Sequence, residues 1–266
     1  SARPEQVIGQ VGSLAERYKE IVLTGINLGR WGRDLPARPR LLDLLRRLLG
    51  ETPVAKLRLS SVEPMDWSDD LLSLMASSDR ICKHVHIPLQ SAADRILRAM
   101  RRRYRVRHYA GRLETARRLM PWASIGADVM VGFPGETEHD FAATRQFVTD
   151  MPFTYLHVFP YSTRPGTPAA EHPNQVPSAV KKERSRILRQ LIASKNLAFR
   201  RSLLGRRFSA VTLKSHDGPP TRALTDNYIP VTVERERLDP GRLVEIEITR
   251  CREQSTSARL PRVLFL

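Results

Sequence analysis

The chain has 266 residues, 41% of them hydrophobic, enough for one large α/β domain and a smaller companion. Its net charge of +16 points to a polyanionic partner, nucleic acid first, although only seven of the 44 basic residues are lysine and codon composition alone also produces such an arginine bias. No apolar run reaches the roughly 18 residues that a spanning helix needs, and the opening Ser1-Ala2-Arg3-Pro4 has neither a secretory pattern nor an initiator Met, so the chain reads as a non-membrane piece of something longer.

Proline near the first position opens a helix over residues 4–18. Strand 21–23 follows and ends at Thr24-Gly25-Ile26-Asn27. Helix 41–49 has a dense apolar face, and strand 57–59 then ends at Ser60-Ser61-Val62-Glu63-Pro64. In helix 67–76, Ser68 caps ahead of Asp69 and Asp70, acids that suit a helix start. Strand 85–87 ends at Pro88-Leu89-Gln90-Ser91. Helices 93–100 and 106–119 are separated by the basic run Arg101-Arg102-Arg103-Tyr104-Arg105. Strand 127–131 ends at Gly132-Phe133-Pro134-Gly135-Glu136, helix 137–148 follows, and strand 155–159 ends at Pro160-Tyr161-Ser162.

Such alternation implies parallel strands, because a parallel crossover needs a long connection, usually a helix. In parallel barrels and sheets the ligand lies at the carboxyl ends of the strands. The polar clusters after the strands therefore share one face. The leading helix has no strand before it and is half of a unit, which implies a further strand ahead of it.

Past a proline-rich loop over 160–177, a basic helix spans 178–204, carrying Lys181, Lys182, Arg184, Arg186, Arg189, Lys195, Arg200 and Arg201. Gly205 ends it. The period then changes to two. Stretches 208–213, 228–233 and 243–248 alternate like strands, with turns at 216–220 and 239–241. Short strands over about 60 residues read as a small β-barrel of a kind that binds nucleic acid. The division is thus 1–177, a linking helix 178–204, and 205–266.

Single motifs leave alternatives open. The Gly132-Phe133-Pro134-Gly135-Glu136-Thr137 turn suits a ligand loop at a helix start and equally suits an ordinary tight turn. Asn27 either meets a ligand ammonium or closes a turn. Glu63 and Gln90 each follow a strand end, where a carboxylate or amide is free to bind or simply solvated. His86 and His157 alternate inside strands and read as packed or hydrogen-bonded core imidazoles rather than metal ligands. Cys82 and Cys251 lie far apart with no metal spacing and read as buried thiols of a reducing, cytoplasmic chain.

Together the segments EIVLTGINLGRWGRDL, LRLSSVEP, HVHIPLQSAADRILRAMRRRY, GADVMVGFPGETEHDF, YLHVFPYSTRPGTPAA and LTDNYIPVTVE resemble the radical SAM methylthiotransferases, in order and over nearly the whole chain. The nearest branch acts on threonylcarbamoyladenosine in tRNA. The resemblance implies a partial (β/α) barrel without its first strand, followed by an all-β TRAM barrel. It also implies S-adenosylmethionine across the strand ends and [4Fe–4S] clusters that generate a 5′-deoxyadenosyl radical. The product is a methylthio group on C2 of the adenosine at position 37, in the tRNA anticodon stem-loop. The family holds the radical-generating cluster on a CxxxCxxC segment and a second cluster on an amino-terminal domain. Neither is present in this sequence, so the chain as it stands lacks the ligands for that chemistry.

Carried over by position, Thr24, Gly25 and Asn27 meet the methionine ammonium. Ser60, Ser61 and Glu63 meet ribose or carboxylate, Gln90 and Ser91 belong to the PLQS segment, where Ala92 replaces a usual glycine, and Asp128, Gly132 and Phe133 border adenine. RNA contacts fall on Arg101, Arg102, Arg103, Arg105, Lys181, Lys182, Arg200, Arg201, Arg206 and Arg207, three basic segments expected to bracket one strand-end face. The LTGIN segment suits the threonylcarbamoyladenosine branch. The rival readings are the isopentenyladenosine branch, a ribosomal-protein branch, and an RNA-binding module without clusters.

Overall fold

The computed structural model describes residues 1–214, 220–234 and 237–261. The expected turn at 216–220 falls almost wholly outside them. In the first part, helix α1 (Pro4–Ala15) leads to strand β1 (Glu20–Leu23), then α2 (Leu41–Glu51), β2 (Lys56–Leu59), α3 (Asp69–Ser77) and β3 (His84–His86). Helices α4 (Asp94–Ala99) and α5 (Val106–Leu119), strand β4 (Ser124–Val131), helix α6 (Glu138–Asp150) and strand β5 (Tyr155–Pro160) complete it. Each helix buries an amphipathic stripe. In α2, Leu41, Leu44, Leu45 and Leu48 face the core at helical spacing. Ser68 caps α3 by accepting from the Leu71 amide at 3.1 Å. Thr137 and Asp140 cap α6 reciprocally: the hydroxyl accepts from the Asp140 amide at 3.2 Å, and the carboxylate accepts from the Thr137 amide at 2.8 Å.

All five strands are parallel and lie side by side in sequence order. β1 pairs with β2, and β4 lies between β3 and β5. A bridge between Leu57 and Ile81 joins the two sets, with the Cys82 amide donating to the Leu57 carbonyl at 2.8 Å. Among the described residues the outer edge of β1 carries no strand, and a groove of about 610 Å³ runs past it between α1 and the loop at Trp31.

Helix α7 (Ser178–Ser202) lies antiparallel along β5. Near its start the Lys181 ammonium donates to the Tyr161 carbonyl beyond the end of β5, and near its end Asn196 Nδ2 donates to the Thr154 carbonyl just before β5 begins. It therefore carries the chain from the mouth of the first barrel to its base. There β6 (Arg207–Thr212), β7 (Thr221–Thr225), β8 (Pro230–Val233), β9 (Leu243–Cys251) and β10 (Thr256–Arg259) close into a barrel in the order β10-β8-β7-β6-β9. Its core holds Leu203, Ile229, Val231, Val233, Ile246 and Ile248, with Ala210, Ala223 and Ala258 where space is tight.

The two barrels meet through buried charge. The Arg58 guanidinium grips Glu20 with both arms at 2.7 and 2.8 Å and also donates to the Thr225 and Asp226 carbonyls of the β7–β8 turn. Lys56 pairs with Asp226 at 3.3 Å, and Asn227 donates to the Trp122 carbonyl at 2.9 Å. Every formal charge at this seam has a partner of opposite sign or a carbonyl dipole, as burial requires.

Candidate functional site

At the carboxyl ends of the strands a cavity of about 240 Å³ is lined by Gly25, Asn27, Ser61, Glu63, Gln90, Arg102 and Asp128. The ends of β1, β2 and β3 and the interior of β4 thus supply two amides, a hydroxyl and two carboxylates to one mouth. Gln90 adopts φ +64, and its amide donates to the Asp128 carbonyl at 2.8 Å, locking the β3 end onto β4. A non-glycine residue there is uncommon and held by its surroundings. The Glu63 carboxylate pairs with Arg102 at 2.9 Å, both half-exposed. Glu63 therefore reaches a ligand only by exchanging that partner.

The other expected cofactor residues disperse. Thr24 faces the groove beside β1. Ser60 lines the lumen of the barrel below the mouth. Ser91 is fully buried, its hydroxyl accepting from the Ala93 amide at 3.2 Å, so it supports the loop and touches no ligand. Gly132 has φ +71 and lies beneath the Lys181 stem, which a Cβ at that position would strike at 2.2 Å; Phe133 packs edge-on against Tyr161. Gly132 is thus buried under α7, and Phe133 also packs with Ala93 and Ile96 at α4, so neither stands at the mouth. Glu136 from the same turn is fully buried. It accepts from the Gly132 amide at 2.7 Å and from Arg184 at 2.6 Å, tying the turn to α7.

The lumen carries His86 and His157, the two expected core imidazoles, together with further polar side chains. A cavity of about 320 Å³ is lined by Arg58, His84, His86, Tyr155, His157 and Tyr228, among others. Ser61 Oγ and His86 Nδ1 share a hydrogen bond of 2.6 Å, and His86 Nε2 stands 3.5 Å from Asp128 Oδ1. Burial pushes the His86 pKa down; Asp128 opposes that and His157 adds to it. His157 itself is exposed, contrary to the expected core imidazole, because it faces this open lumen. The signal was legible: polar rings two residues apart in His84-Val85-His86 and Tyr155-Leu156-His157 mark one face of strands that would otherwise be apolar on both.

The basic segments do not bracket one face. Arg101, Arg103 and Arg105 are exposed beside the mouth, and Lys182 is exposed at the start of α7. Lys181 is committed to Tyr161 and Gly132, and Arg102 to Glu63. Arg200, Arg201, Arg206 and Arg207 lie at the opposite end of α7, about 28 Å away at the helical rise. Arg200 is buried and donates to the Arg252, Glu253 and Ser255 carbonyls, so it holds the second barrel and is not free for phosphate. Arg201 is exposed, Arg206 covers the Trp122 ring at 3.5 Å, and Arg207 pairs loosely with Glu245 at 3.6 Å.

Cys82 is buried, and burial drives its thiol pKa well up; Cys251 is only half-buried, at the end of β9, donating to the Arg200 carbonyl at 3.1 Å. No helix among the described residues is long and apolar enough to cross a membrane.

Residues 1–148 match the radical SAM superfamily. The chain is 43% identical over 188 residues to the threonylcarbamoyladenosine tRNA methylthiotransferase MtaB of Bacillus subtilis, covering 69% of this chain and 41% of that protein. It is 36% identical over 260 residues to the tRNA-2-methylthio-N(6)-dimethylallyladenosine synthase of Mycobacterium ulcerans, covering 92% and 49%. The chain spans about half the length of the curated relatives it matches. Among solved structures, the radical S-adenosylmethionine methyltransferase TsrM of Kitasatospora setae aligns over 64% of this chain and 33% of its own, with TM-score 0.51 and 17% identity, a likeness of fold.

Proposed function

This chain belongs to the radical SAM superfamily, and from that premise we propose that it supplies the S-adenosylmethionine barrel and an RNA-binding barrel of a cytoplasmic tRNA methylthiotransferase. The substrate is N6-threonylcarbamoyladenosine at position 37 of the anticodon stem-loop, which receives a methylthio group at C2. One observation carries the reading: Asn27, Glu63, Gln90 and Asp128, from four neighbouring strands, converge on a single cavity beside an arginine-rich rim. Relatives of both the threonylcarbamoyl and the dimethylallyl kind are similar to this chain. The Thr24-Gly25-Ile26-Asn27 segment favours the former.

The donor set fits S-adenosylmethionine. The carboxylates of Glu63 and Asp128 and the amide oxygens of Asn27 and Gln90 suit an ammonium, a sulfonium and ribose hydroxyls; Arg102, once released from Glu63, suits the carboxylate. Bound to a reduced [4Fe–4S] cluster, that cofactor supplies a 5′-deoxyadenosyl radical. This chain's residues do not fit the cluster itself, because a cluster needs three or four clustered thiolates and the chain has two cysteines, one in each barrel. The part of the chain is to bind and orient the cofactor and to hold RNA over the mouth.

Fluorescence anisotropy with anticodon stem-loops bearing threonylcarbamoyladenosine, isopentenyladenosine or plain adenosine at position 37 tests the assignment. The threonylcarbamoyl loop is expected to bind tightest. Equal affinity for all three, or preference for the isopentenyl loop, would overturn the choice of substrate.

A further inference from the structure

The turn at residues 225–229 reaches from the second barrel into the base of the first, and neither the mouth nor the basic rim accounts for its shape. Tyr228 lies at its tip with φ +65, a conformation a bulky residue keeps only where its surroundings fix it. Its ring stacks on His84 at 3.9 Å and 13°, with the Arg58 guanidinium 5.2 Å from its centroid. His84 Nε2 shares a hydrogen bond of 2.6 Å with the Tyr155 hydroxyl. Tyr155 stacks in turn on His86 at 5.8 Å and 14°. The column ends where His86 meets Ser61 and Asp128, both of which line the mouth.

A purely adhesive contact between domains accounts poorly for this arrangement. His84 Nδ1 is buried with no hydrogen-bond partner among the described residues, and His86 Nε2 meets only the Asp128 carboxylate, 3.5 Å away, where a surface serving only adhesion would pair both fully. The β4 strand also gives up a side chain to make room, since any Cβ on Gly126 would stand 1.9 Å from Tyr155 Cζ.

We infer that Tyr228 is a positioning residue: the turn of the second barrel is the floor of the first barrel's lumen, and through His84 and Tyr155 it fixes the His86 ring that orients Ser61 and Asp128 at the cofactor mouth. The second barrel then serves the cofactor end of the molecule as well as RNA. Only the last link rests on the function proposed above.

A chain of contacts is not yet coupling, so the test must perturb one end and read the other. The 266-residue chain is compared with Tyr228→Ala and Tyr228→Phe. Imidazole nitrogen–proton NMR reports His84 and His86, and maleimide labelling located by mass spectrometry reports Cys82, which is buried beside Glu20 near the same seam. In Tyr228→Ala, the ring resonances of both histidines are expected to move and Cys82 labelling to rise about tenfold, the fall in protection that loss of a local closed state of modest stability produces. In Tyr228→Phe both are expected to stay as in the parent, because the ring stacks without needing its hydroxyl.

If Cys82 opens while His86 does not move, the floor has no reach to the mouth and the inference fails. It fails equally if Cys82 stays protected and the rings stay still in Tyr228→Ala, or if Tyr228→Phe moves His86 as far as alanine does. Should the alanine variant not fold, Tyr228→Leu, which keeps bulk without a planar ring, is read by the same resonances and the same criteria. These readouts need neither RNA nor S-adenosylmethionine, so failure of the tRNA assignment would leave them standing.

Discussion

Arg184→Met tests whether α7 holds the Gly132–Glu136 turn through a buried ion pair. Arg184 and Glu136 lie 2.6 Å apart with side chains 6% and 1% exposed, and Arg184 also reaches Glu138 at 3.1 Å. Burial raises the Glu136 carboxyl above its ordinary 4.5 even though the Gly132 amide and Arg184 oppose it. Removing the guanidinium leaves that carboxylate two choices: stay charged without a counterion, or take up a proton. Starting from 4.5, protonation near pH 7 costs about 3.4 kcal/mol at 1.36 per unit, within the range of about 3–5 for breaking a buried pair. Near pH 5 the same step costs only about 0.7 kcal/mol. Denaturant unfolding followed by circular dichroism should therefore show a loss of about 3 kcal/mol near neutrality that shrinks by more than half in mild acid, and a melting point lower by about 10 °C. The double variant with Glu136→Gln should recover most of it, because a glutamine carbonyl still accepts from Gly132. A loss under about 1 kcal/mol at neutrality, or one that does not change with pH, would refute the reasoning.

Replacing Arg101, Arg103 and Arg105 together by alanine should flatten the dependence of log affinity on log salt for a stem-loop RNA by about 0.7 per lost contact, whereas Arg200→Ala should lower stability and leave that slope alone; the reverse pattern would reassign both groups. Gly126→Ala forces a Cβ into the Tyr155 ring and should destabilise by about 1–3 kcal/mol, read from the urea midpoint, and an unchanged midpoint would show that the ring has room to move. Burial works to raise the Asp140 carboxyl, but the Thr137 hydroxyl and amide and Arg95 outweigh it, so its pKa stands below the ordinary 3.8. Its contribution is present above 3.8 and lost as pH falls below; the stability gap between the parent and Asp140→Asn should therefore close in acid, and a gap constant with pH would contradict the cap.

The alternation of the first part was legible because parallel strands with helical crossovers leave apolar runs bounded by polar clusters. Where the first three clusters meet was legible too: Gly25, Asn27, Ser61, Glu63 and Gln90 line one mouth, whereas the cluster after β4 packs away from it and Asp128, inside that strand, completes the lining. The second barrel was harder. β7 and β10 were missed because their inward residues are Ala223 and Ala258, small enough for a narrow barrel and too small to look like a core. Tyr228 reads as the first residue of a strand, yet it is the tip of a turn, and β8 starts at Pro230. The basic segments misled for a different reason. Nothing local tells an arginine aimed at phosphate from one that satisfies carbonyls, as Arg200 does, and the sequence does not record which end of α7 meets which barrel.

Arginine also works as internal mortar. Arg80 donates to the Leu49, Thr52 and Val54 carbonyls at 2.6, 2.7 and 2.7 Å, closing the last turn of α2, and Arg117 gathers the Pro121, Ala123 and Pro152 carbonyls at the base of the barrel. Lysine has no planar fork to replace either. These partly buried donors meet neutral carbonyl dipoles at short range, which salt screens far less than it screens an exposed charge. In molar salt the screening length falls to about 3 Å, so any attraction of the exposed rim for a polyanion is weakened while the mortar stays intact. Any nucleic acid carried along from a cell extract is thus expected to wash off in concentrated salt with the chain still folded.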